Sequence, residues 1–309
     1  MENKSVNLGR EECIVNEQYH GIYAALVTPY TGDGKVNYDE LQKLVCHLIN
    51  QGLDGFYVNG STAEAFLLSS EEREKILEAV TEANAGRRKV ICHVGAISTD
   101  EAIRYTRHAE KAGADAVSAI SPFYYKFSTR EIIRYYNDIM GSTALPMFVY
   151  NFPNFSGFSL TPEVLEELAK NPNLAGVKFT SSDLFLLEQI KTAHPEMAVW
   201  NGFDEMLASG LTAGADGGIG STYNCMPWLA RKVFDAFVAG DLAQVQDKQR
   251  QMNQVIKVIC AHGVFASVKE ILEMEGFHLN GVRRPFTPMD EAGRKELRQV
   301  YEQYILPNR

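Results

Sequence analysis

Gly113-Ala114-Asp115-Ala116-Val117-Ser118-Ala119-Ile120 is the stretch that decides the fold. A glycine closes a helix-like segment, two residues turn the chain, and a short run of small and β-branched residues opens a strand. The same phrase returns as Gly52-Leu53-Asp54 before Gly55–Asn59 and as Gly214-Ala215-Asp216 before Gly217–Gly220. Working outward from these three points gives further strands at Ile22–Thr28, Val90–Val94, Met147–Tyr150, Ala175–Phe179 and Ala198–Asn201. Each strand is followed by apolar residues at helical spacing, as in Leu41, Leu44, Val45 and Leu48, or Ile76, Leu77 and Val80. Three helices open on a capping box: Ser69-x-x-Glu72, Ser98-x-x-Glu101 and Ser128-x-x-Glu131.

Eight strands, each with a crossover helix, predict an α/β fold of the (β/α)8 TIM-barrel type. The alternative, an open doubly wound sheet, normally carries a glycine-rich fingerprint after its first strand, where this chain has Thr28-Pro29-Tyr30. Beyond residue 240 the strands stop, and Asp241–Ala261, Val264–Met274 and Asp290–Ile305 read as three helices. The expected organisation is an N-terminal extension over residues 1–20, a catalytic barrel over 21–240 and a C-terminal helical domain over 241–309, with no linker between the last two.

The 309 residues, 45% hydrophobic and 22% charged, suffice for a sizeable core. A net charge of −9 argues against nucleic acid and against anionic membranes as partners. No apolar run approaches the roughly 18 residues of a transmembrane helix. Met1 to Tyr19 is polar and mixed in charge, unlike a secretory signal, so a cytoplasmic protein is expected. The five cysteines (13, 46, 92, 225 and 260) include no C-x-x-C pair, which fits a reduced protein. The seven histidines form no H-E-x-x-H and no pair four residues apart, so neither a metal nor a cofactor is expected.

A barrel of this kind carries its chemistry at the C-terminal ends of its strands. Lys178 interrupts the apolar run Leu174-Ala175-Gly176-Val177 and is followed by Phe179. Burial lowers a lysine's pKa and frees an amine able to attack a ketone, although a structural lysine paired with a barrel carboxylate fits the position equally well. Tyr150, at the end of the neighbouring strand, is either a proton shuttle for that amine or a core aromatic with a wet hydroxyl. Ser61 and Thr62 make either a carboxylate cradle or a simple polar turn. The glycines from Gly214 to Gly220 read as a tight turn or, more weakly, as a phosphate loop.

These segments resemble a known family. Gly60-Ser61-Thr62-Ala63-Glu64, Tyr150-Asn151-Phe152-Pro153 and Gly176-Val177-Lys178-Phe179-Thr180 are similar to those of the pyruvate-dependent class I aldolases, the dihydrodipicolinate synthase and N-acetylneuraminate lyase superfamily. The likeness runs from about Gly21 to the C-terminus. Within it, Tyr57-Val58-x-Gly60-Ser61-Thr62, Pro122-Phe123-Tyr124-Tyr125, Asn201-Gly202-Phe203-Asp204-Glu205 and Gly214–Asn224 are most similar to the N-acetylneuraminate lyase branch. The resemblance implies that Lys178 forms a Schiff base and that Tyr150 shuttles the proton. Ser61 and Thr62 would hold the substrate carboxylate, with Thr180 beside the imine. Gly202, Asp204, Glu205 and Ser221 would bind the hydroxyl chain, and Tyr124 would join a hydroxyl relay with Ser61 and Tyr150 that reaches across a subunit contact.

The implied reaction splits N-acetylneuraminate, a sialic acid, into N-acetylmannosamine and pyruvate without a cofactor, in a homotetramer whose only other partners are small molecules. Two rivals are a pyruvate aldolase for a different 2-keto sugar acid and a non-catalytic ligand sensor, the latter disfavoured by the retention of Lys178 and Tyr150. Two positions depart from the family pattern. Ala63 stands where glycine is usual, which matters if that position needs a positive φ. Pro153-Asn154-Phe155 lacks the arginine with which the dihydrodipicolinate branch grips its substrate, which tells against that activity.

Overall fold

The computed structural model describes residues 18–308. Eight parallel strands close into a barrel in sequence order, so the open-sheet alternative falls. They are β1 (Gly21–Ala25), β2 (Gly55–Val58), β3 (Lys89–His93), β4 (Ala116–Ile120), β5 (Met147–Asn151), β6 (Leu174–Phe179), β7 (Ala198–Asn201) and β8 (Gly217–Gly220). Gly21 pairs with Gly217 and Ala24 with Gly220 to shut the ring. The covering helices are α1 (Tyr38–Asn50), α2 (Ser70–Asn84), α3 (Thr99–Lys111), α4 (Thr129–Met140), α5 (Pro162–Ala169), α6 (Leu184–Ala193), α7 (Leu207–Thr212) and α8 (Pro227–Val238). Three more follow: α9 (Leu242–His262), α10 (Val264–Met274) and α11 (Glu291–Val300). The expected third helix to Ile305 gives way to a wider turn over Tyr301–Ile305.

The recurring Gly-x-Asp phrase has a physical job at the N-terminal end of the barrel. Each aspartate opens an even-numbered strand and accepts a backbone N–H from the strand before it. Asp54 Oδ2 takes Ile22 N at 2.8 Å, Asp115 Oδ2 takes Val90 N at 2.8 Å, and Asp216 Oδ2 takes Val199 N at 2.7 Å. Arg231, Lys89 and Lys191 respectively neutralise the three carboxylates. Before β6 an asparagine takes this place, and Asn173 Nδ2 donates to the carbonyls of Met140 and Thr143.

Capping boxes form at Ser69 and Ser128 as the sequence suggests. Ser98 caps α3 by position but makes no side-chain cap bond, and the Glu101 carboxylate accepts from Tyr105 Oη at 2.7 Å rather than closing the box. The first strand also ends earlier than its apolar run. Val27 N turns to Asn224 Oδ1 and Thr28 Oγ1 to Ala63 O, which ties the β1 exit to the loops after β2 and β8.

Side chains alternate along each strand, so Val149, Val177 and Phe179 pack beneath the helices while Phe148, Tyr150 and Lys178 point inward. Tyr19, Tyr23, Phe148 and Trp200 plug the lower barrel with edge-to-face contacts, Phe148 and Trp200 at 4.8 Å between centroids. This aromatic floor leaves the upper mouth for polar groups.

Candidate active site

Lys178 ends an inward-facing row of β6 and is 3% exposed. Burial pulls its pKa down to about 7, opposed only by the attraction of Asp204. Its Nζ sits between two rings, 3.9 Å from the centroid of Tyr57 and 4.1 Å from that of Tyr150. Tyr150 is the register partner of Lys178 on β5. Burial pushes its phenol up to about 12, against the pull of the Ser61 and Thr180 hydroxyls. Thr180 Oγ1 is buried without a hydrogen-bond partner of normal geometry, so it has a bond to offer a ligand.

The loop after β2 opens with a tight turn, Ser61–Ala63, bracketed by left-handed residues at Asn59 (φ 59°) and Glu64 (φ 58°). Ala63 itself has no positive φ, so alanine costs nothing where glycine is usual. Thr62 Oγ1 and Ser221 Oγ are 2.7 Å apart, which joins the β2 and β8 exits. Asp204, in the turn after β7, accepts from Thr222 N at 2.7 Å and Thr222 Oγ1 at 2.6 Å. Burial nevertheless raises its carboxyl to about 6. Glycine is required at Gly202, where a Cβ would meet Thr180 Oγ1, and at Gly220, where it would meet the Asp204 carboxylate. Gly217–Gly220 is therefore strand rather than phosphate loop. From α9, Gln249 Nε2 grips Asp204 O at 3.1 Å and Asn253 Nδ2 grips Glu205 O at 3.1 Å.

Lys178, Tyr150, Ser61, Thr62, Thr180, Gly202, Asp204, Glu205 and Ser221 all line one cavity of about 440 Å³. Tyr124 does not join them. It is 84% exposed, has φ 78°, and packs its ring against Tyr125. Four features escape the sequence reading. Tyr57 forms the second wall around the amine and turns its hydroxyl to Ser118 Oγ at 3.0 Å. His93 stands edge-on to Tyr150 and is buried. Its Nδ1 donates to Asn59 O at 3.0 Å and its Nε2 accepts from Ile120 N at 3.2 Å. Phe152 and Phe155 stack at 4.2 Å on one wall, and Phe265 and Phe286 reach the cavity from the C-terminal segment. Period-two alternation on β2 and β3 could have flagged Tyr57 and His93, but no local signal links residues 265 and 286 to the barrel mouth.

Among the described residues, no group of three His, Cys, Asp or Glu side chains is placed to hold a metal ion. No described helix is long and apolar enough to cross a membrane. Cys46, Cys92, Cys225 and Cys260 are free thiols, and Cys13 lies outside the described residues.

A closed parallel barrel with a buried amine of lowered pKa at its mouth defines a barrel enzyme equipped for Schiff-base chemistry. Residues 18–304 match the Dihydrodipicolinate synthetase family, and the chain belongs to that family. Over 287 residues it is 44% identical to the N-acetylneuraminate lyase of Citrobacter koseri, covering 92% of this chain and 97% of that one. Among solved structures, CdNal from Clostridium difficile in complex with mannosamine aligns with a TM-score of 0.90 at 32% identity, over 93% of this chain and 99% of that one. A sialic acid aldolase from Ruminococcus gnavus, solved as a catalytic lysine mutant, aligns at 0.89 with 31% identity, over 94% and 99%.

Proposed function

We propose that this chain reversibly splits N-acetylneuraminate into N-acetylmannosamine and pyruvate through a Schiff base at Lys178. The observation that carries the mechanism is the pairing of a buried amine, lowered to about 7, with the phenol of Tyr150 on the adjacent strand. The 44% identity to named lyases supports the substrate. Phe155, where the dihydrodipicolinate branch has its arginine, supports the same choice.

The Lys178 lone pair attacks the C2 ketone of the open-chain sugar acid, and loss of water gives an iminium. Its carboxylate rests on the Ser61–Thr62 turn, and Thr180 Oγ1 stands beside the imine. Tyr150 protonates the departing hydroxyl as that water leaves, the positive iminium stabilises the resulting phenolate, and the phenolate accepts the C4 hydroxyl proton as the C3–C4 bond breaks. The C3–C4 electron pair moves into the iminium and leaves an enamine of pyruvate. Tyr150 returns the proton to C3, and water hydrolyses the imine to free pyruvate and Lys178. Asp204, Glu205 and Ser221 hold the hydroxyl chain of the sugar.

In this reading the barrel over 21–240 and the helical domain over 241–309 form a cytoplasmic homotetramer, in which the exposed Tyr124 completes a hydroxyl relay across a subunit contact. Borohydride reduction in the presence of pyruvate, followed by peptide mass mapping, tests the central step. A reduced pyruvyl adduct on the Lys178 peptide is expected, and an adduct elsewhere or none at all would sink the mechanism.

A further inference from the structure

Glu64 and Lys269 form an ion pair of 2.6 Å in which both side chains are almost wholly buried, 0% and 1% exposed. The pair joins the loop after β2 to α10, 205 residues away in the chain. Removing two charges from water costs about as much as their attraction returns, so stability alone explains such a pair poorly. The backbone adds to the puzzle, because Glu64 holds a left-handed φ of 58° that a branched or long side chain seldom adopts. Its N–H closes the Ser61–Ala63 turn by donating to Ser61 O at 3.0 Å.

The pair also ties the residue that closes that turn to the segment around Gly281 and Arg283. Glu64 Oε2 accepts from Arg283 N at 2.6 Å, and Lys269 Nζ also donates to Gly281 O at 2.8 Å. The Lys269 ammonium lies 4.1 Å from the centroid of the Tyr30 ring. The Arg283 side chain then reaches Glu72 in α2 at 2.7 and 2.8 Å. The pair thus fastens three walls of one cavity: the Ser61–Thr62 turn, the start of α10 with Phe265, and the segment carrying Val282 and Phe286.

We infer that Glu64 and Lys269 are positioning residues, whose buried ion pair fixes the Ser61–Thr62 turn at the distance from Lys178 that a 2-keto acid needs to place both its carboxylate and its ketone. The inference rests on the proposed role of that turn as the carboxylate cradle. Displacing a binding element by about 1 Å can cost on the order of a hundredfold, so an effect at this range is measurable.

The test uses the full-length enzyme and two probes, pyruvate and methyl pyruvate, which differ in the negative charge. The readout is the concentration of each that half-saturates borohydride inactivation. Single variants leave a lone buried charge, so the informative variant is Glu64→Gln with Lys269→Met, uncharged and similar in volume. Circular dichroism should show the fold intact and methyl pyruvate should half-saturate as in the wild type. Half-saturation by pyruvate should rise on the order of tenfold or more. Equal shifts for both probes, or none for either, would overturn the inference. If the double variant does not fold, Lys269→Arg keeps the charge, changes the geometry and is judged by the same comparison. In the wild type, absence of trapping would remove the Schiff-base reading, and equal half-saturation by the two probes would remove the carboxylate cradle. Those outcomes are distinct from a failure of the pair itself.

Discussion

Tyr150 and Lys178 face one another as register partners on β5 and β6, with the amine 4.1 Å from the centre of the phenol ring. One cause, burial, acts on them in opposite directions. It lowers the amine to about 7 and raises the phenol to about 12, so near neutral pH both favour or share the uncharged form. In the proposed reaction this leaves a nucleophile available and lets the acid beside it keep its proton until the iminium forms. The site thereby separates the two tasks of that reaction in time.

Imine formation should follow the free amine of Lys178. The rate of borohydride trapping at low pyruvate should rise with pH through a midpoint near 7 and then level off, well before an ordinary lysine would titrate. Asp204 attracts the ammonium form and so holds the midpoint up. Asp204→Asn should move it to lower pH. A midpoint near 10 in the wild type would mean that the amine is not desolvated as found.

Tyr150→Phe removes the phenolic proton but keeps the ring that walls in Lys178. Steady-state kcat for N-acetylneuraminate should fall by roughly two to four orders of magnitude, the usual cost of losing a general acid–base group. Pyruvate should still be trapped on Lys178, only more slowly. A kcat equal to that of the wild type would reduce Tyr150 to a core aromatic.

How much of this was legible beforehand varies with the range of the signal. Gly-x-Asp phrases and short β-branched runs located all eight strands, because turn chemistry and period-two burial are local. The strand-like run at β1 extends three residues beyond the strand itself, since Val27 and Thr28 look like strand yet bond to Asn224 and Ala63. Ser98 looked like a capping serine, and only its neighbour Tyr105 reveals why Glu101 turns away. In the site, motif residues at strand ends were readable, whereas Phe265, Phe286 and the partner of Glu64 come from a segment with no periodic link to the barrel mouth. The family resemblance makes Tyr124 a relay member, whereas within the single chain it is exposed and does not line the cavity.

His93 sets a pH limit on stability. Burial, then the nearby charges of Arg73 and Lys178, hold its pKa well below the usual histidine range, so the folded state keeps it neutral. The unfolded chain takes up a proton below about pH 6.5, and the folded chain does not. Its contribution is therefore present above that pH and lost as pH falls, by about 1.4 kcal/mol per unit. Urea unfolding at pH 7 and pH 5 should show this loss in the wild type. His93→Leu should be less stable at pH 7 by about 1–3 kcal/mol for each backbone group it leaves unpaired, at Asn59 O and Ile120 N. Its loss between pH 7 and pH 5 should be smaller. The same pH loss in both proteins would show that another group sets the limit.

In the proposed reaction, substrate choice would depend on the rim around Asp204, Glu205 and Ser221, which line the cavity. Asp204 spends one carboxylate oxygen on Thr222, while α9 holds the backbone of both acids so that their side chains face the cavity. Two adjacent acids accept hydrogen bonds from a polyol and repel a second carboxylate or a phosphate. Phe155, also lining the cavity, is 56% exposed and stacked on Phe152, and this apolar pair offers no cation to an acidic partner. N-acetylneuraminate should therefore be cleaved readily, while pyruvate with aspartate semialdehyde should give little product. Glu205→Ala should lower kcat/KM for N-acetylneuraminate by about 1–3 kcal/mol, because one hydroxyl of the tail loses a charged acceptor. Trapping of pyruvate should be unchanged in this variant, since pyruvate has no tail. Equal losses for both would place Glu205 in general packing rather than in recognition. Faster turnover of aspartate semialdehyde than of the sugar acid would overturn the substrate while leaving the Schiff base at Lys178 in place. Strong preference for a shorter or deacetylated 2-keto acid would instead assign the rim to another sugar acid.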